Sequence, residues 1–200
     1  MVEIRSAKPG DEGAIAQVHV SAWQEAYRGA IPDAYLDALT VHRRTETWRG
    51  LLAQLAPPSQ DALVAVDGTE VLGFVHFSQS RDPDADATVG EVTSIYVQPG
   101  RWREGIGRAL LQGAGERLRD AGFSSITLWV LEVNAAARRF YEAEGWRPDA
   151  AVKERERAGV TLRELRYVRP APPRSESVVV LAEPQWRGEV DGGHVSSGAD

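Results

Sequence analysis

The apolar positions of this chain switch between two periods. Residues 2–7 alternate, and Pro9-Gly10-Asp11 breaks the run, so a first strand is expected there. Over residues 11–28, Ile15, Val18, Ala22 and Ala26 recur at helical spacing, and Gly29 supplies a stop. Pro32-Asp33 opens a short helix through Tyr35, Leu36 and Leu39. Thr40 is placed to cap a longer helix carrying Trp48, Leu51, Leu52 and Leu55, which Pro57-Pro58 closes. Strand periods then return. Residues 62–66 and 71–77 flank Asp67-Gly68-Thr69-Glu70, a hairpin turn. The polar run 78–88 reads as a surface loop, and residues 89–97 as the third strand of a meander.

The second half repeats the switch. Residues 105–121 put Ile106, Leu110, Ala114, Leu118 and Ala121 on one helical face, and Gly122 ends it. Residues 125–130 (SITLWV) are apolar on both faces, as in a central strand covered on both sides. Asn134 heads a helix through Phe140 and Tyr141 that Gly145 terminates. Residues 150–157 and 160–168 form a hairpin around Ala158-Gly159. The connection from Val97 through a helix to Ser125 is a βαβ crossover, so those two strands should be parallel. The expected fold class is α/β: a mixed, mostly antiparallel sheet with one parallel pair and helices packed on it. No internal repeat is visible.

Composition narrows the function. The chain has 200 residues, 42% hydrophobic and 26% charged, which suits one globular domain. That domain should span residues 1–169. From Pro170 the sequence turns Pro-, Ser- and Gly-rich, and residues 170–200 read as a tail holding one extra strand at 178–182, suited to a sheet edge of its own chain or of a second copy. A net charge of −6 argues against a nucleic-acid partner. With no cysteine there is no disulfide, no thiolate metal site and no cysteine nucleophile. The start, MVEIRSAKPGDE, lacks the apolar core of a signal peptide, and no run approaches the roughly 18 apolar residues of a membrane span. The sequence therefore reads as cytoplasmic, with no membrane partner; a homodimer is left open.

The chemistry concentrates in residues 90–111, GEVTSIYVQPGRWREGIGRALL. A strand runs into a Gly/Arg-rich turn and then into a helix. The backbone N–H groups of Arg103, Glu104, Gly105, Ile106, Gly107 and Arg108 have no intrahelical acceptor to reach, and arginines flank them, which suits a phosphate. Gly105 and Gly107 let a backbone approach closely. The G-K-[ST] ending of a Walker loop is missing, and Leu110 stands where a dinucleotide fingerprint has its third glycine.

This segment resembles motif A of the GCN5-related N-acetyltransferase (GNAT) superfamily, whose helix-entry signature is Q/R-x-x-G-x-G/A. Here the window reads Trp102-Arg103-Glu104-Gly105-Ile106-Gly107, so Trp102 departs from the signature and Arg103 or Arg108 would take over its phosphate contact. Residues 132–145 (EVNAAARRFYEAEG) resemble motif B. With the strand order, the resemblance spans about residues 1–169. It implies a splayed parallel strand pair, helices on both faces, and acetyl-CoA in the gap as cosubstrate, with no metal. Ile95, Tyr96 and Val97 would pair with the pantetheine arm, an N–H among them would hold the oxyanion, and Asn134 would bind the arm besides capping its helix. Tyr141 would be the general acid toward the sulfur. Glu91, 14 residues before Gly105, would be the base, with His76 in reserve; strand alternation puts Glu91, Thr93, Ile95 and Val97 on one face. The implied reaction moves an acetyl group directly to a primary amine, of a small molecule or peptide, through a tetrahedral intermediate. Trp23, Tyr27, Tyr35 and Trp129 are aromatic candidates for the acceptor pocket, while the arginines between Lys153 and Arg169 read as a solvated hairpin face. A non-catalytic acyl-CoA-binding regulatory module, or a nucleotide-binding enzyme, are the competing readings.

Overall fold

The computed structural model describes residues 1–173. Seven strands form one sheet in the order β1-β2-β3-β4-β5-β7-β6: β1 (Glu3–Ser6), β2 (Asp61–Asp67), β3 (Glu70–Gln79), β4 (Val89–Val97), β5 (Ser125–Leu131), β6 (Arg147–Arg157) and β7 (Val160–Pro170). Every neighbouring pair is antiparallel except β4 with β5. Among the described residues five α-helices accompany it: α1 (Glu12–Ala26), α2 (Asp33–Asp37), α3 (Val41–Leu52), α4 (Ile106–Asp120) and α5 (Ala135–Ala143). The expected fold class is therefore found, with a mixed, mostly antiparallel sheet. The expected strand at 178–182 lies outside the described residues.

The local signals act as their chemistry dictates. The Thr40 side chain accepts from the Arg43 N–H at the start of α3. Asn134 accepts from the Ala137 N–H at 3.0 Å and starts α5. Two apolar layers result. On one face, α4 and α5 pack Ile106, Leu110, Ala114, Leu118 and Tyr141 against Val75, Phe77, Val92, Ile126 and Leu128. On the other, α1 and α3 pack Ile15, Val18 and Trp48 against Val64 and Phe74.

The β4–β5 ladder is short. Residues pair from Val89 with Ser125 to Val92 with Leu128, and no further. Beyond Val92 the two central strands part, leaving the second half of β4 with an open edge toward β5. This is the parallel splay that the family resemblance implies.

Two expectations about register need correcting. A bulge between His76 and Phe77 of β3 leaves Thr93 as an extra residue on β4. The pleat resets there. Val92, Ile95 and Val97 pack on the α4 side, whereas Tyr96 joins the α1–α3 side and Thr93 bonds the backbone of His76. Glu91 thus does not share a face with Ile95 and Val97, as unbroken alternation predicts. At the other edge, β6 begins at Arg147, before the expected residue 150. A second register shift, with Ala150 at φ +70°, absorbs the difference.

Candidate active site

The open edge of β4 is where both faces of the sheet meet. From the α1 side come Trp23 and Tyr27, from β4 Tyr96, and from α5 Tyr141. Trp23 Nε1 donates to the Tyr96 hydroxyl at 2.8 Å, and Trp23 meets Tyr27 edge to face at 4.9 Å. His19 stacks on Tyr96 at 4.7 Å and accepts from Trp48 Nε1 at 3.2 Å, which makes its Nδ1 an acceptor. Tyr27 is only 7% exposed and Tyr141 only 8%. Burial pushes both phenols above the ordinary tyrosine range. The Tyr27 charge adds to this at Tyr141, Glu164 adds to it at Tyr27, and Tyr96 is pushed up by burial and by both neighbouring phenols. Three tyrosine hydroxyls that feel one another, all held protonated, therefore border the gap. The Asn134 side chain lies beside Tyr27 and opposes that rise.

The main chain of the open edge is more selective than the sequence suggested. Gln98 N–H donates to Leu72 of β3, so by strand alternation Tyr96 also turns its N–H and C=O to β3. A Cβ on Gly73 would sit 2.9 Å from the Tyr96 carbonyl oxygen, which agrees. Ile95 and Val97 are then the residues whose backbone faces the gap. Tyr96 contributes a side chain there, not a main-chain bond. The Val97 carbonyl already accepts from Trp102 Nε1 at 2.8 Å. The departure at Trp102 thereby has a structural job: its indole ties the turn after β4 (Pro99–Arg101) to the strand end.

Past that turn comes the cradle. Arg103 and Gly105 both take positive φ, +69° and +83°, which aims successive N–H groups to one side. None of the N–H groups from Arg103 to Arg108 has an acceptor among the described residues. Nothing lies within 4 Å of a Cβ built on Gly105, so its glycine is required by conformation. Gly107 differs: a Cβ there would touch Phe140 at 3.4 Å, so its bareness lets α4 and α5 close on each other. Of the arginines, Arg101 pairs with Glu104 at 2.8 Å and Arg108 with Glu144 at 2.7 Å, while Arg103 has no acidic partner among the described residues. Arg103 is the cation free to meet a phosphate.

Glu91 stands apart from the tyrosines. It is half-buried beside Asp82, Lys153 and Arg81. Burial pushes its carboxyl above the ordinary range, Asp82 adds to this, and the Lys153 and Arg81 charges oppose it. Lys153 Nζ lies 3.8 Å over the Trp129 ring. Trp129 Nε1 in turn donates to Asp82. Trp129 therefore belongs to the Glu91 cluster. His76 is 4% exposed, its Nδ1 contacts Thr93 Oγ1, and its Nε2 has no partner among the described residues. Burial lowers its pKa from 6.5 to about 4, so it is neutral at pH 7.

Sequence reasoning missed His19, the side chain of Tyr96, and two of the hairpin arginines. His19, Trp23 and Tyr27 repeat every four residues along α1, a stripe that a helical-wheel reading exposes. Arg155 and Arg163 of the hairpin are solvated as expected, but Arg157 and Arg166 are not. Arg166 has a side chain only 11% exposed and bridges Asp82, Asp84 and Asp149 at 3.2, 2.6 and 2.8 Å. Arg157 donates to the Tyr35 hydroxyl at 2.9 Å and lies 5.3 Å over the Trp23 ring.

The comparisons with known proteins bear on the family and the fold. The model of the acetyltransferase (GNAT) family matches residues 11–146. The uncharacterized N-acetyltransferase YuaI of Bacillus subtilis is 35% identical over 166 residues, covering 82% of this chain and 91% of that protein. PaiA N-acetyltransferase from Thermoplasma acidophilum, solved with coenzyme A, superposes with a TM-score of 0.64 at 18% identity, covering 82% of this chain and 98% of that one. YncA from Salmonella typhimurium, solved with acetyl-CoA, gives 0.64 at 20% identity, covering 86% and 94%. The chain belongs to the GNAT acetyltransferase family.

Proposed function

We propose that this protein transfers an acetyl group from acetyl-CoA directly to an amine in the gap between β4 and β5. The observation that carries the reading is the adjacency of two features: an open backbone edge bordered by tyrosines from both faces, and six free N–H groups one turn further on. The residues fit the cosubstrate. Free N–H groups beside an unpaired Arg103 suit a diphosphate, and an open strand edge suits the amides of a pantetheine arm. Binding there brings an activated acetyl thioester to the gap. Ile95 and Val97 would hold the arm by their main chains, with Asn134 opposite. Holding thioester and amine together contributes up to about 7–11 kcal/mol.

The chain's own groups then manage charge and protons. A strand N–H aimed at the thioester oxygen stabilises the oxyanion, a donor worth about 2.7–4 kcal/mol in comparable sites. Tyr141 keeps its proton at any physiological pH and offers it to the departing sulfur. A primary amine near pKa 10.4 must lose a proton first. Glu91, with its raised pKa and its place on the same face as Tyr96, is the base we assign, working through water. The GNAT-family relatives named N-acetyltransferases support the reaction class.

Thermal shift with acetyl-CoA, CoA and ATP, followed by thiol release over an amine panel, tests the proposal. Stabilisation by both coenzymes and release with at least one amine are expected. Stabilisation by ATP alone would point to a nucleotide enzyme, and binding without release on any amine to a regulatory module.

A further inference from the structure

On the α1–α3 side lies a cavity of about 300 Å³ lined by Val20, Tyr35, Thr40, Arg43, Arg44 and Thr47, with Ala38 and Leu39. Its polar lining consists of two guanidiniums and three hydroxyls; no carboxylate lines it. Neither Arg43 nor Arg44 has an acidic partner among the described residues, although Arg28 and Arg49 each have two. Arg44 is half-buried. Both arginines sit in the first turn of α3, which holds no acidic residue, so they oppose the helix dipole. Arg43 is exposed, but Arg44 is a partly desolvated, unpaired cation at the wrong helix end, which costs stability for no structural return. A ligand of opposite charge would explain it.

A chain of side-chain contacts links the cavity lining to the gap. Tyr35 lines it and accepts the Arg157 bond, and Arg157 lies over Trp23, which donates to Tyr96. The Arg44 charge is felt by the His19 ring and by the Tyr96 phenol.

We propose that the acceptor amine carries an anionic group, a carboxylate or a phosphonate, and that Arg44, with Arg43, holds that group in this cavity while the amine reaches the gap. This inference rests on the acetyl-transfer reading above and names its acceptor class. A planar fork of donors matches a carboxylate bidentately and a phosphonate nearly as well. A polyamine, all positive, is disfavoured by the same two arginines.

The test is thiol release from acetyl-CoA with matched acceptors: free amino acids, the same amino acids as carboxamides, aminoalkylphosphonates, and spermidine. Wild type, Arg44→Gln, Arg43→Gln and Arg44→Lys are compared, with an acetyl-CoA thermal shift confirming that each is folded. The expected result is a kcat/KM about 10- to 100-fold higher for an anionic acceptor than for its amide, the range of a charge-assisted contact. Arg44→Gln should collapse that ratio toward one, Arg43→Gln should reduce it, and Arg44→Lys should keep part of it. The carboxylate and phosphonate arms tell which anion is taken. If amides or spermidine turn over as well as the acids, or if Arg44→Gln leaves the ratio unchanged, this inference is overturned while acetyl transfer stands. If no acceptor of any charge releases thiol, both fall.

Discussion

Replacing Tyr141 by Phe removes one oxygen from the site and almost nothing else. The ring is 8% exposed and packs against Trp146 and Tyr167, and its hydroxyl has no hydrogen-bond partner among the described residues. Phenylalanine keeps the volume and the ring contacts, so stability should change by less than about 1 kcal/mol. For a chain of this size that is a Tm shift within about 4 °C. The catalytic effect is bounded by the same geometry. General acids contribute about 10²- to 10⁴-fold. Tyr141 sits above the ordinary phenol range, whereas the thiol it serves is near pKa 8.5, so full proton transfer is uphill and hydrogen bonding does most of the work. The lower end follows: about 100-fold in kcat, or about 2.7 kcal/mol. Steady-state thiol release gives kcat, and titration with CoA gives affinity, which should move by less than about threefold if the hydroxyl acts only on the departing sulfur. A kcat within about threefold of wild type, in a folded variant, would refute the assignment of Tyr141 as acid.

Other perturbations separate the remaining parts. Arg166→Ala leaves Asp82 and Asp149 facing each other without their cation; it should cost about 3 kcal/mol and lower Tm by about 6–12 °C in calorimetry. Gly105→Ala forces a side chain into φ +83° with room to spare, so it should cost about 1 kcal/mol of stability and also weaken acetyl-CoA binding in titration calorimetry. Glu91→Gln should erase the acidic limb of the pH–rate profile, which lies above pH 4.5 because burial raises the carboxyl. The sign for stability is opposite: a raised carboxyl favours the folded state at low pH and loses that advantage as pH rises, so Glu91→Gln should not be destabilised at pH 7 in urea unfolding. His19 and His76 have their pKa lowered from 6.5 to about 3 and about 4, so stability should fall as pH drops below 6.5, and His19→Gln should flatten that slope.

The elements were largely written in local chemistry. Thr40 and Asn134 cap their helices, and β4 runs over the residues its pattern marks. What local chemistry hides is pairing. The run EVTSIYV reads as one strand, and its partner β3 is what reveals that Thr93 is surplus and that Tyr96 faces α1. Likewise nothing in SITLWVL says that its ladder with β4 stops at Leu128, yet that stop makes the gap. Arg166 alternates like its neighbours, and its partner Asp82 lies 84 residues away in a loop. The row of free N–H groups before α4 was legible because Gly105 and the helix start are adjacent in sequence. The tyrosine cluster was not, because its members come from α1, β4 and α5.

The most direct test follows an isotopically labelled acetyl group from acetyl-CoA by mass spectrometry, with intact protein and acceptor measured together. The account predicts label on an amine nitrogen, CoA thiol in equal amount, and unlabelled protein. Label retained on coenzyme A with every amine, or label found on the protein as a required intermediate, would contradict direct transfer in the β4–β5 gap.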